Sequence, residues 1–281
     1  MKEGNIVKNI CTLTVLAREK KPLIHHLTNY VTVNDCANIV LASGASPIMA
    51  DDLNEVEEVV AMASALVLNI GTLNQKTVKS MMAAGKKANE LGIPVVLDPV
   101  GAGATVLRTS TCRLLLENIK LAVIRGNVSE IKAVGGFAAA TKGVDVSQQD
   151  LLNSKDLDYG RKIVQTLSKK FGCVVTMTGE VDLISDGTKT YSIYNGHPML
   201  SSITGTGCMC SSLIGVYCGI TSDYLLAAVS GVMVMGLAGE KAYRQTWEAN
   251  GGNGTFRIKL IDAVSLLTGE DIKKGGRIGA E

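Results

Sequence analysis

The sequence predicts an α/β fold with a mostly parallel central sheet, helices on both faces and a small antiparallel edge, and three observations predict it. Short runs rich in β-branched residues alternate with longer segments of helical periodicity, the spacing that crossover connections require. The runs are apolar without in–out alternation, as burial on two faces demands. After Thr178 the alternation gives way to two closely spaced runs joined by Asp186-Gly187, a hairpin turn signal.

In chain order, residues 1–21 mix charged and apolar positions at helical spacing, which predicts an amphipathic first helix and no cleavable leader. Strands are expected at 23–26, 46–50, 66–70, 94–98, 122–125 and 173–178, with helices at 34–41, 53–62, 75–91 and 159–171 between them. The hairpin pairs 181–185 with 190–194, and the rest is helical: 205–218, 224–247 and 256–267. The longest apolar stretch, 224–238, is shorter than the roughly 20 residues of a bilayer span and reads as a buried helix, with no membrane partner.

The 281 residues are 46% hydrophobic and 19% charged, enough for one large core; without a repeat or low-complexity linker they read as a single domain over 1–281. A formal charge of +2 with no long basic or acidic block argues against a nucleic-acid partner and for a small molecule. Seven cysteines, an odd number without paired C-x-x-C spacing, suit a reducing cytoplasm and neither a disulfide framework nor structural zinc. With only 4% aromatics the interior is aliphatic, and the apolar surplus suggests an oligomer interface.

The sharpest local feature is Thr204-Gly205-Thr206-Gly207-Cys208, which follows the hairpin and opens an apolar helix. Glycines at a helix start let backbone N–H groups converge where the helix carries partial positive charge, which suits a phosphoryl group. Cys208 falls in the first turn, where its thiol pKa is expected to drop and leave a thiolate able to take a proton from a hydroxyl. The plainer alternative is tight helix packing with Cys208 as a small buried hydrophobe.

Asp98-Pro99-Val100-Gly101 ends an expected parallel strand with a carboxylate, where open α/β sheets bind ligands, so Asp98 either helps to hold Mg²⁺ or caps a helix. Arg125-Gly126-Asn127-Val128-Ser129-Glu130 brings a cation, an amide and a carboxylate into one turn. Phosphoryl transfer uses such parts, yet Asn127 and Glu130 equally fit a capping box.

In combination these segments resemble the ribokinase-like kinases of vitamin precursors: Asp98-Pro99-Val100-Gly101, Asn127-x-x-Glu130, Thr178-Gly179-Glu180-Val181-Asp182 and Gly205-Thr206-Gly207-Cys208 occur in that group's order. Cysteine at 208, where the group usually carries aspartate, together with Thr28-Asn29-Tyr30-Val31-Thr32 and Ser46-Pro47-Ile48-Met49-Ala50, resembles the hydroxyethylthiazole kinases over about residues 22–267. The resemblance implies transfer of the γ-phosphoryl group of ATP to a thiazole alcohol in thiamine salvage, with Mg²⁺ as cofactor. It implies that Met49 and Gly205 contact the thiazole, that Arg125 and Thr178 contact ATP, and that Asn29 orients the substrate. Asp98, Asn127 and Glu130 become the magnesium and phosphate group, with Gly205 and Gly207 on the transferred phosphoryl and Cys208 in the base position. It further implies a homotrimer with sites at subunit boundaries.

Other features carry less. His25 and His26 point to opposite faces of a strand, one expected in the core and one on a polar surface, and make a poor metal pair. His197-Pro198 reads as a structural turn, and Cys208 and Cys210 diverge by about 200° around a helix. Met81, Met82, Met233 and Met235 read as core filler, and 250–254 as a helix connection. Competing functions are a hydroxymethylpyrimidine or pyridoxal kinase, for which Asp at 208 is expected, and a non-catalytic nucleotide or thiazole sensor. An NAD(P)-linked enzyme lacks its Gly-x-Gly-x-x-Gly after the first strand.

Overall fold

The structure, a computed structural model, describes residues 3–137 and 154–280. Helix α1 (Glu3–Lys20) leads into β1 (Leu23–Leu27), α2 (Val33–Ala42), β2 (Ser46–Met49), α3 (Val56–Met62) and β3 (Ala65–Asn69). Next come α4 (Gln75–Leu91), β4 (Val95–Asp98), α5 (Val106–Asn118), β5 (Val123–Asn127) and α6 (Val128–Gly135). Then follow α7 (Ser154–Phe171), β6 (Val174–Thr178), β7 (Asp182–Ser185) and β8 (Thr190–Ile193). A 3-10 turn (Pro198–Ser202) precedes α8 (Thr206–Cys218), α9 (Tyr224–Glu248), α10 (Asn253–Ser265), α11 (Gly269–Gly275) and β9 (Ile278–Ala280).

The strands form one sheet in the order β2-β1-β3-β4-β5-β6-β7-β8-β9. Pairs from β2 through β6 are parallel and those from β6 to β9 antiparallel, so the expected parallel core with an antiparallel edge is present. Alternate strand residues feed two cores. Ile24, Val67 and Val96 pack with Leu213, Met233 and Phe256 on the face covered by α1, α2 and α8–α11. Leu66, Leu68 and Leu97 pack with Met81, Leu115 and Leu167 on the face covered by α3–α7. Each such side chain contributes about 1.5–3 kcal/mol on burial.

Local chemistry sets the element ends. Asn74 caps α4 through the N–H groups of Lys76 and Thr77, and Gly92 ends it in the left-handed region at φ 70°. Asp186 accepts the N–H groups of Thr188 and Lys189 while Gly187 turns at φ +90°, closing the β7–β8 hairpin. Helix α8 is pressed onto the sheet at Gly215, where a Cβ would stand 2.6 Å from Val67 Cγ2. This close approach puts the start of α8 over the ends of β1, β3 and β4.

Three expectations change. His25 and His26 are both buried, 0% and 1% exposed, because helices cover both faces of β1 and neither is a polar surface. The apolar segment at 224 continues to Glu248 as a 25-residue helix, long and apolar enough to cross a membrane, but 83% of its apolar window is buried within the fold. Elements α5, α6, α11 and β9 fall outside the expected helix and strand ranges, although the capping-box spacing of Asn127 and Glu130 hinted at α6: α5 buries only Thr111, Cys112 and Leu115, and the others are short. All seven cysteines are buried and free.

Candidate functional site

Because β1 to β6 run parallel, their carboxyl ends fall on one edge, and each end carries a polar or polarisable residue: Met49 on β2, Asn69 on β3, Asp98 on β4, Asn127 on β5 and Thr178 on β6. Asn29 lies two residues beyond β1. The ladder registers Asn69 against Asp98, Asn127 against Thr178 and Met49 against His26. The strand order reverses between β1 and β3, the switch point where such sheets bind ligands.

At that point Asn29 Nδ2 donates to Asn69 Oδ1 (3.0 Å) and to Cys208 Sγ (3.4 Å). Asn69 Nδ2 donates to Asp98 Oδ2 (2.9 Å) and to Cys208 Sγ (3.2 Å). Ser211 Oγ, one turn along α8, also donates to Asp98 Oδ2 at 2.9 Å. Asp98 is 0% exposed and its Oδ1 has no partner. Burial pushes its carboxyl up to about 7, against the pull of Arg125 and with a further upward push from Glu130.

On the other side, Arg125 Nη2 donates to Thr178 Oγ1 (2.6 Å), whose hydroxyl donates to the Gly126 carbonyl at 3.3 Å. Burial works against the Arg125 charge, but Cys210, Asp98 and Glu130 around it outweigh this and raise its pKa. Its Nε is buried without a partner. A Cβ on Gly207 would stand 2.5 Å from Arg125 Nη1, so the glycine is the space in which the guanidinium lies. Gly205 caps α8 at φ +89° with no side-chain acceptor on the first-turn N–H groups, and a Cβ there would meet Thr32 Cγ2 at 2.7 Å.

Glu130 and Asn127 do form the capping box: Asn127 Oδ1 accepts from Glu130 N, and Glu130 Oε2 from Asn127 N, both at 2.8 Å. The second oxygen of Glu130 accepts from Gly101 N at 2.8 Å. Glu130 thus ties the loop after β4 to the turn after β5, with both oxygens engaged.

The structure brings together Asn29, Asp98, Arg125, Asn127, Glu130, Thr178, Gly205, Gly207 and Cys208, while Met49 stands at the end of edge strand β2, beyond β1. The expected drop in the Cys208 pKa does not occur. The thiol is 8% exposed, and burial, with Asp98 and Cys36 adding to it, pushes it up to about 12. A place in the first turn of a helix does not offset loss of water and a neighbouring carboxylate. Asn29 has its whole amide engaged, since its Oδ1 accepts from Thr32 N (3.1 Å). Sequence reasoning missed Asn69 and Ser211; a polar residue closing the apolar run Leu66-Val67-Leu68 was the available signal for the first.

As to magnesium, the partnerless, buried Asp98 Oδ1 is a hard oxygen donor of the right kind. Among the described residues no group of three or more acidic, His or Cys side chains could enclose a metal. That fits Mg²⁺, which keeps several waters and binds through one or two carboxylates plus substrate phosphate.

A family model described as the hydroxyethylthiazole kinase family matches residues 15–270. A hydroxyethylthiazole kinase of Alkaliphilus oremlandii (strain OhILAs) is 55% identical over 269 residues, covering 96% of this chain and 97% of the relative. Among solved structures, the hydroxyethylthiazole kinase protein from Pyrococcus horikoshii OT3 is similar at 36% identity and TM-score 0.87, over 98% of this chain and 99% of that one. The pyridoxal kinase from Staphylococcus aureus in complex with ADP, 13% identical with TM-score 0.60 over 79% of this chain and 88% of that one, shares the fold alone.

Proposed function

Since the chain belongs to the hydroxyethylthiazole kinase family, we propose that it transfers the γ-phosphoryl group of ATP to the primary alcohol of 4-methyl-5-(2-hydroxyethyl)thiazole, giving the thiazole phosphate and ADP. The observation that carries this reading is the juxtaposition of a buried carboxylate with a free oxygen, Asp98, and a guanidinium lodged against the glycine start of a helix, Arg125 on Gly207. An anion is stabilised by the second feature and a hydrated cation by the first, the two charges that phosphoryl transfer must balance.

In this reading the alcohol oxygen attacks the γ-phosphorus and the bond to the β–γ bridging oxygen breaks. Arg125, steadied by Thr178, and the first-turn N–H groups after Gly205 hold the migrating group and the nucleotide phosphates. Asp98, with its partnerless oxygen, and Glu130, whose oxygens already rest on backbone N–H groups, would be the residues to hold Mg²⁺; Asn127 keeps the β5 turn in register. Bound there, the ion neutralises phosphate charge. Met49 and Gly205 flank the thiazole, and Asn29 orients it by fixing Cys208. Because burial holds the Cys208 thiol protonated, the sulfur orients the hydroxyl rather than deprotonating it, and the alcohol proton passes late to an oxygen of the transferred phosphoryl group; a loose transition state asks little of a base.

The reading also takes residues 1–281 as a single ribokinase-like domain, supported by one sheet that draws strands from along the whole described chain. A homotrimer is supported by apolar residues exposed near the crevice, among them Tyr30 (79%) and Val31 (56%). Free, buried cysteines suit a cytoplasmic setting.

The test is an ATP-consumption screen with hydroxyethylthiazole, hydroxymethylpyrimidine and pyridoxal, the product identified by mass. The thiazole phosphate is the expected product. Preferential phosphorylation of either other alcohol would assign a related vitamin-precursor kinase, and binding without ATP consumption would assign a sensor.

A further inference from the structure

Asn69 is 2% exposed, and every hydrogen-bonding position of its side chain is used within the site. The orientation of the amide is settled by the backbone: Gly71 N can only donate, and it lies 2.9 Å from Oδ1, so the opposite atom is the NH₂ group. Thr32 N fixes Asn29 in the same way. The hydrogens of Asn69 Nδ2 therefore divide between the Asp98 carboxylate and the Cys208 sulfur, and the sulfur takes a second N–H from Asn29. The turn is closed down on this arrangement, since a Cβ on Gly71 would stand 2.9 Å from the Asn29 side chain.

We infer that Asn69 is a positioning residue for the transfer step: its carboxamide, anchored by Gly71 and Asn29, sets the place of the Cys208 sulfur beside the Asp98 carboxylate and thereby the point at which the acceptor hydroxyl is received. This rests on the kinase reading above. Two amide donors, Asn29 and Asn69, meet on the sulfur, with the Thr32 hydroxyl also beside it. Removing the Asn69 donor frees the sulfur to rotate without touching Arg125 or Thr178. The cost should fall on turnover, because a misplacement of about 1 Å at a reacting group is enough to slow transfer strongly while leaving nucleotide binding intact.

The experiment is a double-mutant cycle of Asn69→Ala and Cys208→Ala, with kcat and both Michaelis constants measured on proteins whose folding is checked by thermal melting. Asn69→Ser runs alongside in case the alanine variant does not fold. The expected result is a loss in kcat of about tenfold for Asn69→Ala and for Cys208→Ala, a KM for ATP within about twofold, and less than about a twofold further loss when the two are combined. A full tenfold loss persisting in the Cys208→Ala background, an unchanged kcat in Asn69→Ala, or an unchanged kcat in Cys208→Ala would each overturn the assignment. Should the unaltered chain fail to phosphorylate the thiazole alcohol, the kinase reading falls by itself. A crystal structure of Asn69→Ala then decides the rest: a sulfur displaced by more than about 0.5 Å supports the positioning role, and an unmoved sulfur contradicts it.

Discussion

The two sides of the crevice are built differently. On the acceptor side, Asn29, Asn69, Ser211, Cys208 and one oxygen of Asp98 form a closed set of hydrogen bonds, all buried. On the phosphate side, Arg125 and Thr178 are half-buried, Arg125 Nε and Asp98 Oδ1 lack partners, and α8 starts on a bare glycine cap. A buried charged group without a full set of partners is costly. In the proposed reading the acceptor side is therefore complete before any substrate binds, whereas the nucleotide and its cation would complete the charges of the phosphate side.

That contrast can be broken from either side. The largest effect is expected for Asp98→Asn, which keeps much of the shape but removes the charge shared by both halves. Turnover at saturating ATP should fall roughly 10³-fold, and a loss under tenfold would remove Asp98 from the chemistry. Gly207→Ala comes next, because its Cβ would stand 2.5 Å from Arg125 Nη1 and must push the guanidinium aside. Steady-state kinetics should show kcat/KM for ATP down roughly 10²-fold with the thiazole KM much less affected. Arg125→Ala should raise KM for ATP about tenfold, the value of a charge-assisted hydrogen bond, and equal effects on both substrates would erase the distinction between the sides.

The smallest effect is on stability. The Asp98 pKa of about 7 in the fold lies above its ordinary 3.8, so the stability it contributes is complete below 3.8 and lost as pH rises through about 7. Asparagine at 98 carries no such charge. With divalent ions chelated, the melting temperature of Asp98→Asn relative to the unaltered chain should climb by a few degrees from about pH 5 to about pH 8. Parallel melting curves would mean that the carboxylate is not held in so dry a place.

Much of this was legible in the residues. Strands apolar on both faces foretold a helix-covered sheet, and the polar residues Asp98 and Thr178 do end parallel strands on one edge, where the proposed site lies. What the sequence hid depended on contacts between distant segments. Asn69 looks like an ordinary strand terminus until the fold places it between Asp98 and Cys208, 29 and 139 residues away in sequence. Cys208 illustrates the same point with the opposite sign. Its place in a first turn argued for a lowered pKa, but Asp98 and burial, neither visible locally, reverse the shift. The Asn127–Glu130 pair forms the capping box that its spacing allowed, and that box holds the carboxylate close enough to act on the Arg125 charge.

The most direct measurement is a crystal structure of the chain with the thiazole alcohol, a non-hydrolysable ATP analogue and Mg²⁺. The account predicts that Asn29, Asn69 and Cys208 keep their positions, that the hydroxyl meets the Cys208 sulfur, and that the terminal phosphate lies between Arg125 and the start of α8. A nucleotide bound away from Gly207, or an acceptor side that rebuilds its hydrogen bonds around the alcohol, would contradict it.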